Sequence, residues 1–205
     1  TLCDGKACYA LAWAQLGDDY NAFLRLLFSG RVHKAGHNIK DLMRALLAEG
    51  LPTDGFVFDT ALAAYLLDAT AGSYDLQRLF VAYFNEELPK PAHLERDAFA
   101  PLGDTAAAWA ALHSYCSAVA ALYGILPQKL REENMTELYE TVELPLCAVL
   151  ARMERRGFLV DGKALVAFGE DMADRLATLE QRIYEAAGTK FNINSPKQLG
   201  TVLFE

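Results

Sequence analysis

The first third of the chain switches between two hydrophobic periods. "TLCDGKACYALAW" (1–13) alternates around Asp4-Gly5, a pattern that predicts a hairpin. "DDYNAFLRLLFSG" (18–30) spaces Phe23, Leu26 and Leu27 for a helix, with Gly30 as its C-terminal stop. "RVHKAGHN" (31–38) reads as a short strand feeding the helix "IKDLMRALLAEG" (39–50), which Gly50 ends. "FVFD" (56–59) reads as a buried strand running directly into the helix "TALAAYLLDAT" (60–70). Strands alternating with helices predict an α/β unit, a sheet covered by helices.

From Tyr74 to Gly124 the period is helical, interrupted by the loop-like stretch "NEELPKPAHLERDAFAPLG" (85–103). An Ala-rich helix follows from an Asp104 N-cap. A second unit is expected from near Pro127. Its first long helix carries Leu138, Val142, Leu146, Val149 and Met153 on one face, kinks at Pro145 and ends at Gly157. After the link "FLVD", Asp161 caps a helix with Leu165, Phe168, Met172, Leu176, Leu179, Ile183 and Ala186 as a seam, closed by Gly188. The two long helices are expected to pack antiparallel as a hairpin. In "FNINSPKQLGTVLFE" (191–205), Ser195 suits the N-cap, Pro196 the first helical position and Gln198 the capping-box position. So short an amphipathic helix needs something to bury its face, so the chain is expected to be a section of a longer protein.

Composition adds bounds. The 205 residues are 53% apolar, with eleven Phe and nine Tyr, which is ample for a core. No apolar run is read as approaching the roughly 20 residues of a membrane span, no signal peptide is recognised, and a cytoplasmic protein is expected. Cys3, Cys8, Cys116 and Cys147 form no ligand cluster; a hairpin at Asp4-Gly5 would set Cys3 opposite Cys8, which allows a cross-strand disulfide, but a reduced pair is the expectation in a cytosolic protein. His33, His37, His93 and His113 lack ligand spacing, so no metal site is expected. The formal charge of −8 means that nucleic-acid contact has to be local rather than a property of the whole surface.

"EQRIYEAAGTKFNINSPKQLGTVLFE" strongly resembles the thumb of the bacterial DNA polymerase I family, family A. "ELYETVELPLCAVLARMERRGFLVDGKAL" resembles the opening of that polymerase domain, and "FDTALAAYLLDATAGSYDLQRL" a strand and helix of the preceding exonuclease domain. The resemblance covers nearly the whole chain in the family's order. It implies a ribonuclease-H-like 3′–5′ exonuclease fold over residues 1–128, followed over 129–205 by the helical hairpin that begins the polymerase domain. It further implies a bacterial, nucleoid-associated protein of replication and repair, with primer-template DNA and the rest of the polymerase domain as partners and Mg2+ as the parent polymerase's cofactor. The thumb tip would touch the DNA backbone through Asn192, Asn194, Ser195, Lys197 and Gln198. The bare reading of that run is an ordinary capping box.

Proofreading exonucleases of the family hold two metals with carboxylates, because two-metal hydrolysis needs hard oxygen ligands. The first motif, Asp-x-Glu, occurs nowhere in the chain. The second places Asp four residues beyond Asn; here Asn38 leads to Leu42, with Asp41 one position early and ~100° around the helix. The third, Tyr-x-x-x-Asp, becomes Tyr115 and Val119. A vestigial exonuclease without catalytic residues is therefore expected. Asn38 and Asp59 are read as caps of the helices that follow them. The rivals are an active nuclease that recruits Asp41, Asp59 or Asp104, and a helical protein-interaction module.

Overall fold

The computed structural model describes residues 2–4, 7–9, 16–89 and 105–204. Two compact units emerge, Thr1–Gly157 and Phe158–Glu205. The first opens with a hairpin of β1 (Leu2–Cys3) and β2 (Cys8–Tyr9), in which Cys3 stands in register opposite Cys8. The Asp4 N–H donates to the Ala7 carbonyl, and the Ala7 N–H to Asp4 Oδ1, which closes the turn. Cys3 is disulfide-bonded, in place of the reduced thiol expected from the sequence.

Helix α1 (Tyr20–Leu27) stops three residues before Gly30, where the Ser29 hydroxyl donates to the exposed Leu26 carbonyl. β3 (Lys34–Gly36) leads into α2 (Ile39–Ala48), and β4 (Phe56–Asp59) into α3 (Thr60–Leu67). β3 and β4 pair in parallel, with an irregularity between Lys34 and Ala35. The β4 strand is buried at Phe58 and Asp59, whereas Val57 is exposed, so only part of it is the buried strand expected. Gly50 ends α2 in the left-handed region that favours glycine.

The loop corner beside this sheet is closed by a single side chain. Lys34 Nζ donates to the Ser29, Val32 and Asp54 carbonyls at 3.2, 2.7 and 2.6 Å and lies 5.0 Å from the Phe56 ring centre. Burial lowers its pKa, and Asp54 opposes that shift. Gly55 sits beside this ammonium with φ +74; a Cβ there would meet Lys34 Nζ and the Ser29 carbonyl, each at 2.8 Å.

After α4 (Leu76–Phe84), α5 runs unbroken from Thr105 to Glu132, through Pro127. Proline normally breaks a helix interior, but here the buried stripe of Ala118, Leu122, Leu126 and Leu130 carries the helix across it. By length and composition α5 would pass for a membrane span, longer than any apolar run read from the sequence. Its stripe instead packs in the core with Phe58, Leu76, Leu79 and Tyr139. The Asp104 cap lies outside the described residues, as does His93.

The kink expected at Pro145 takes another form. α6 (Thr136–Leu138) passes into a π-turn (Tyr139–Glu143), then into α7 (Leu144–Arg156), with Pro145 in the first turn of α7. Pro145 has no N–H to donate to a preceding carbonyl, and the widened turn accommodates that loss before α7 begins. α7 lies on α2: Ile39 and Met43 pack with Cys147 and Ala151, and Lys40 pairs with Glu154 at 2.5 Å. Gly157 stops α7.

In the second unit, Asp161 accepts from the Lys163 and Ala164 N–H groups and caps α8 (Gly162–Ala187), which Gly188 ends in the left-handed region. Leu165, Phe168, Leu176, Leu179 and Ile183 of its seam are exposed. Tyr184 meets Phe191 edge-on, 6.0 Å between ring centres, and so anchors the turn that leads to α9 (Pro196–Phe204).

Candidate functional site

The strand ends and helix starts of the first unit converge on Asp59, which is only 3% exposed. Its carboxylate accepts from the Ala61 and Leu62 N–H groups at 2.9 and 3.3 Å, the cap of α3 read from the sequence. It also accepts from the Asn38 and Ile39 N–H groups at 3.1 and 2.8 Å. One carboxylate therefore satisfies the first turns of two helices, whose free N–H groups favour negative charge. Asn38 occupies the N-cap position of α2, but its side chain makes no cap bond, contrary to the sequence reading. Its φ of 54 is left-handed, whereas an N-cap residue is normally extended, and Asp59 reaches across to do its work.

Two further groups hold this corner. The Asp59 N–H donates to the Tyr139 hydroxyl oxygen at 2.6 Å, and burial raises the Tyr139 pKa above its ordinary value. The Thr60 hydroxyl donates to the Gly36 carbonyl, so His37 Nδ1, 2.8 Å from Thr60 Oγ1, is the donor of that pair. Burial lowers the His37 pKa, opposed by Asp59 and Asp75. Local sequence gives no signal for Tyr139 or His37, because both act through contacts made by tertiary folding.

The remaining positions singled out from the sequence divide. Asp41 is exposed and pairs with Arg44 at 3.6 Å. The Tyr115 hydroxyl donates to the Pro89 carbonyl at 3.1 Å. Leu42 and Val119, one on α2 and the other on α5, both line a cavity of about 440 Å3 together with Phe23, Phe28, Phe56 and Cys116. Lys34 is the charged residue among those lining it, and no carboxylate reaches it from the described residues. The cavity thus offers hard cations no anionic oxygen ligand, and Mg2+ does not fit its described walls. Among the described residues, no group of three His, Cys, Asp or Glu is placed to hold a metal.

A separate cleft of about 270 Å3 opens between α2, α3 and α7. Asn38, Lys40, Asp41, Tyr65 and Glu143 stand around it, and Cys147 is at its wall. Burial, reinforced by Asp59, pushes the Cys147 thiol up to about 11.

In the second unit, Ser195 Oγ accepts from the Gln198 N–H at 3.4 Å. Gln198 Oε1 reaches back to the Asn192 N–H at 2.8 Å, three residues beyond the usual capping-box target. Asn192 Oδ1 accepts from the Asn194 N–H at 3.0 Å. These bonds brace a tight loop and leave Asn192, Asn194, Lys197 and Gln198 exposed, with Ser195 half-buried. Electrostatically the tip presents one cation and several amides.

No family model matches the chain. It is 40% identical over 162 residues to DNA polymerase I of Bacillus caldotenax, an alignment covering 78% of this chain and 18% of that protein. With DNA polymerase I of Pseudomonas aeruginosa, identity is 30% over 224 residues, 98% of this chain and 24% of the relative. The chain thus spans about a fifth of these curated relatives. Among solved structures, the polymerase domain of Pol1 from M. smegmatis, in complex with DNA primer-template and dNTP, matches with a TM-score of 0.71 at 29% identity, over 95% of this chain and 31% of that one.

Proposed function

From the homology of this chain to a section of bacterial DNA polymerase I, a DNA-directed DNA polymerase of family A, we propose that it is the junction of two domains in such an enzyme. Residues 1–128 form a ribonuclease-H-like 3′–5′ exonuclease domain that has lost its metal carboxylates, and 129–205 begin the polymerase domain with its thumb. The whole enzyme extends a primer with deoxynucleotides, using Mg2+ held by residues outside this chain. Its setting is replication and repair in the bacterial cytoplasm, at the nucleoid.

The observation that carries the lost-nuclease reading is the meeting of Leu42 and Val119 in one apolar cavity. The family motifs would put carboxylates at those two positions, and two-metal chemistry needs such groups side by side. Their convergence, with methyl groups where oxygens belong, is what an exonuclease site looks like once its ligands are gone. Asp59 is no substitute, since four N–H groups already occupy its oxygens. The thumb reading rests on the exposed tip, where Asn192, Asn194, Ser195, Lys197 and Gln198 offer donors of the kind that grip phosphate oxygens. The exposed α8 seam is a surface for the rest of the polymerase domain.

The test incubates this chain with a 3′-labelled single strand and Mg2+ or Mn2+. The expected result is an intact strand over hours beside a helical circular dichroism spectrum. Shortening that EDTA abolishes and that Asp41→Ala removes would overturn the proposal in favour of a rearranged nuclease.

A further inference from the structure

The cleft between α2, α3 and α7 stands apart from the apolar cavity and has no part in the proposed function. Two backbone irregularities border it. Asn38 is left-handed at a helix start, and the π-turn ends on Glu143. Non-glycine residues with positive φ, and π-turns inside helices, cluster where side chains are aimed at ligands. Both residues face this same cleft.

Its chemistry is specific. Tyr65 is 41% exposed, yet its ring is held edge-on by Tyr74, 5.7 Å between centres at 89°. The Tyr74 hydroxyl is in turn fixed by the Asp68 carbonyl at 2.7 Å. That is a pre-set platform for an aromatic ring. Lys40 is held by Glu154 and Asp41 by Arg44. Among the described residues Glu143 has no ion pair, and neither Glu143 nor Asn38 uses its side chain in a hydrogen bond. A half-buried carboxylate and an amide are therefore available beside an aromatic platform, over an apolar floor of Ala61, Leu62 and Leu146.

We propose that this cleft binds a guanine base. A carboxylate accepts two N–H groups at once, and guanine alone among the DNA bases presents two adjacent ones, N1–H and N2–H. Adenine and cytosine offer one amino group beside a ring acceptor, which repels a carboxylate, and thymine offers one N–H between two carbonyls. Glu143 takes the N1 and N2 edge, the Asn38 amide donates to O6 or N7, and the base stacks on Tyr65. Base–aromatic stacking supplies affinity whatever the base; Glu143 supplies the choice.

The experiment titrates the intact chain, by tyrosine fluorescence and calorimetry, with GMP, IMP, AMP and N-acetylarginine amide. It then uses a nine-nucleotide thymidine strand with or without one central guanine. GMP is expected to bind saturably, with IMP, which lacks the N2 amino group, and AMP at least about tenfold weaker. Glu143→Gln is expected to erase the GMP–AMP difference, while Tyr65→Leu weakens all bases alike. Because IMP alters only the ligand, its comparison stands even if a variant folds poorly. Tighter binding of the guanine-bearing strand than of GMP assigns the site to single-stranded nucleic acid, and equal binding assigns it to free nucleotides. No saturation by GMP at 10 mM (a ceiling of about −2.7 kcal/mol), equal affinity for all bases, or tighter binding of the arginine amide would each overturn the proposal.

Discussion

Replacing Asp59 by Ala removes the side chain that closes the first turns of both α2 and α3. Each helix loses a cap worth about 1 kcal/mol. Two of the four released N–H groups belong to residues that are nearly or fully enclosed, Ile39 at 0% and Ala61 at 6% exposed. A buried donor left unpaired costs about 1–3 kcal/mol. Allowing for overlap between the cap and the unpaired donor, the loss comes to about 3–5 kcal/mol. Asp59→Asn keeps one oxygen, enough for the Asn38, Ala61 and Leu62 donors that share Oδ1, but turns an NH2 toward the Ile39 N–H. Its cost is therefore about 1–2 kcal/mol. Asp75→Ala, which breaks a single exposed cap on α4, is the control at about 1 kcal/mol. The assay is urea unfolding of the chain followed by circular dichroism. With a slope of about 2 kcal/mol/M, Asp59→Ala lowers the midpoint by roughly 1.5–2.5 M and Asp75→Ala by about 0.5 M. An Asp59→Ala midpoint no lower than that of Asp75→Ala would refute the double-cap account.

Two other outcomes are expected. The His37 pKa in the folded chain is lowered by burial, so as pH falls from neutrality the unfolded chain takes up its proton first. Stability is then full above the ordinary histidine value of 6.5 and declines as pH drops below it; urea midpoints between pH 7.5 and 5 should show that slope, and His37→Gln should reduce it. For the thumb tip, binding of primer-template DNA to the chain should weaken with salt, and Lys197→Ala should make the log–log slope shallower by about 0.9 if its ammonium meets one phosphate; an unchanged slope would remove Lys197 from the contact.

Local chemistry was readable wherever one residue decides a chain direction. Gly50, Gly157 and Gly188 end their helices with positive φ, and Asp161 and Asp59 begin theirs. Those signals sit within four residues of what they control. Asn38 marks the limit: its position at the start of α2 is legible, but the oxygen that caps the helix comes from a residue 21 positions later. Pro127 shows the same limit from the other side, since the buried leucine stripe that carries α5 through it is a property of the packed core. The meeting of Leu42 with Val119, and the opening between Tyr65 and Glu143, likewise exist only once distant helices are in place. Alternation of apolar residues could mark each helix face but not which faces would share a cavity.

The Lys34 corner has a consequence for how this sequence can drift. Three carbonyls converge on one ammonium, and Gly55 is pressed against it with a φ that side chains resist. Arginine cannot stand in for the lysine, because a planar fork does not fit three converging acceptors. A shorter residue at 34 would strand those carbonyls, and any side chain at 55 would strike the ammonium. Each single step is therefore uphill, and among descendants of this chain positions 34 and 55 should be inherited together or lost together with the loop they close.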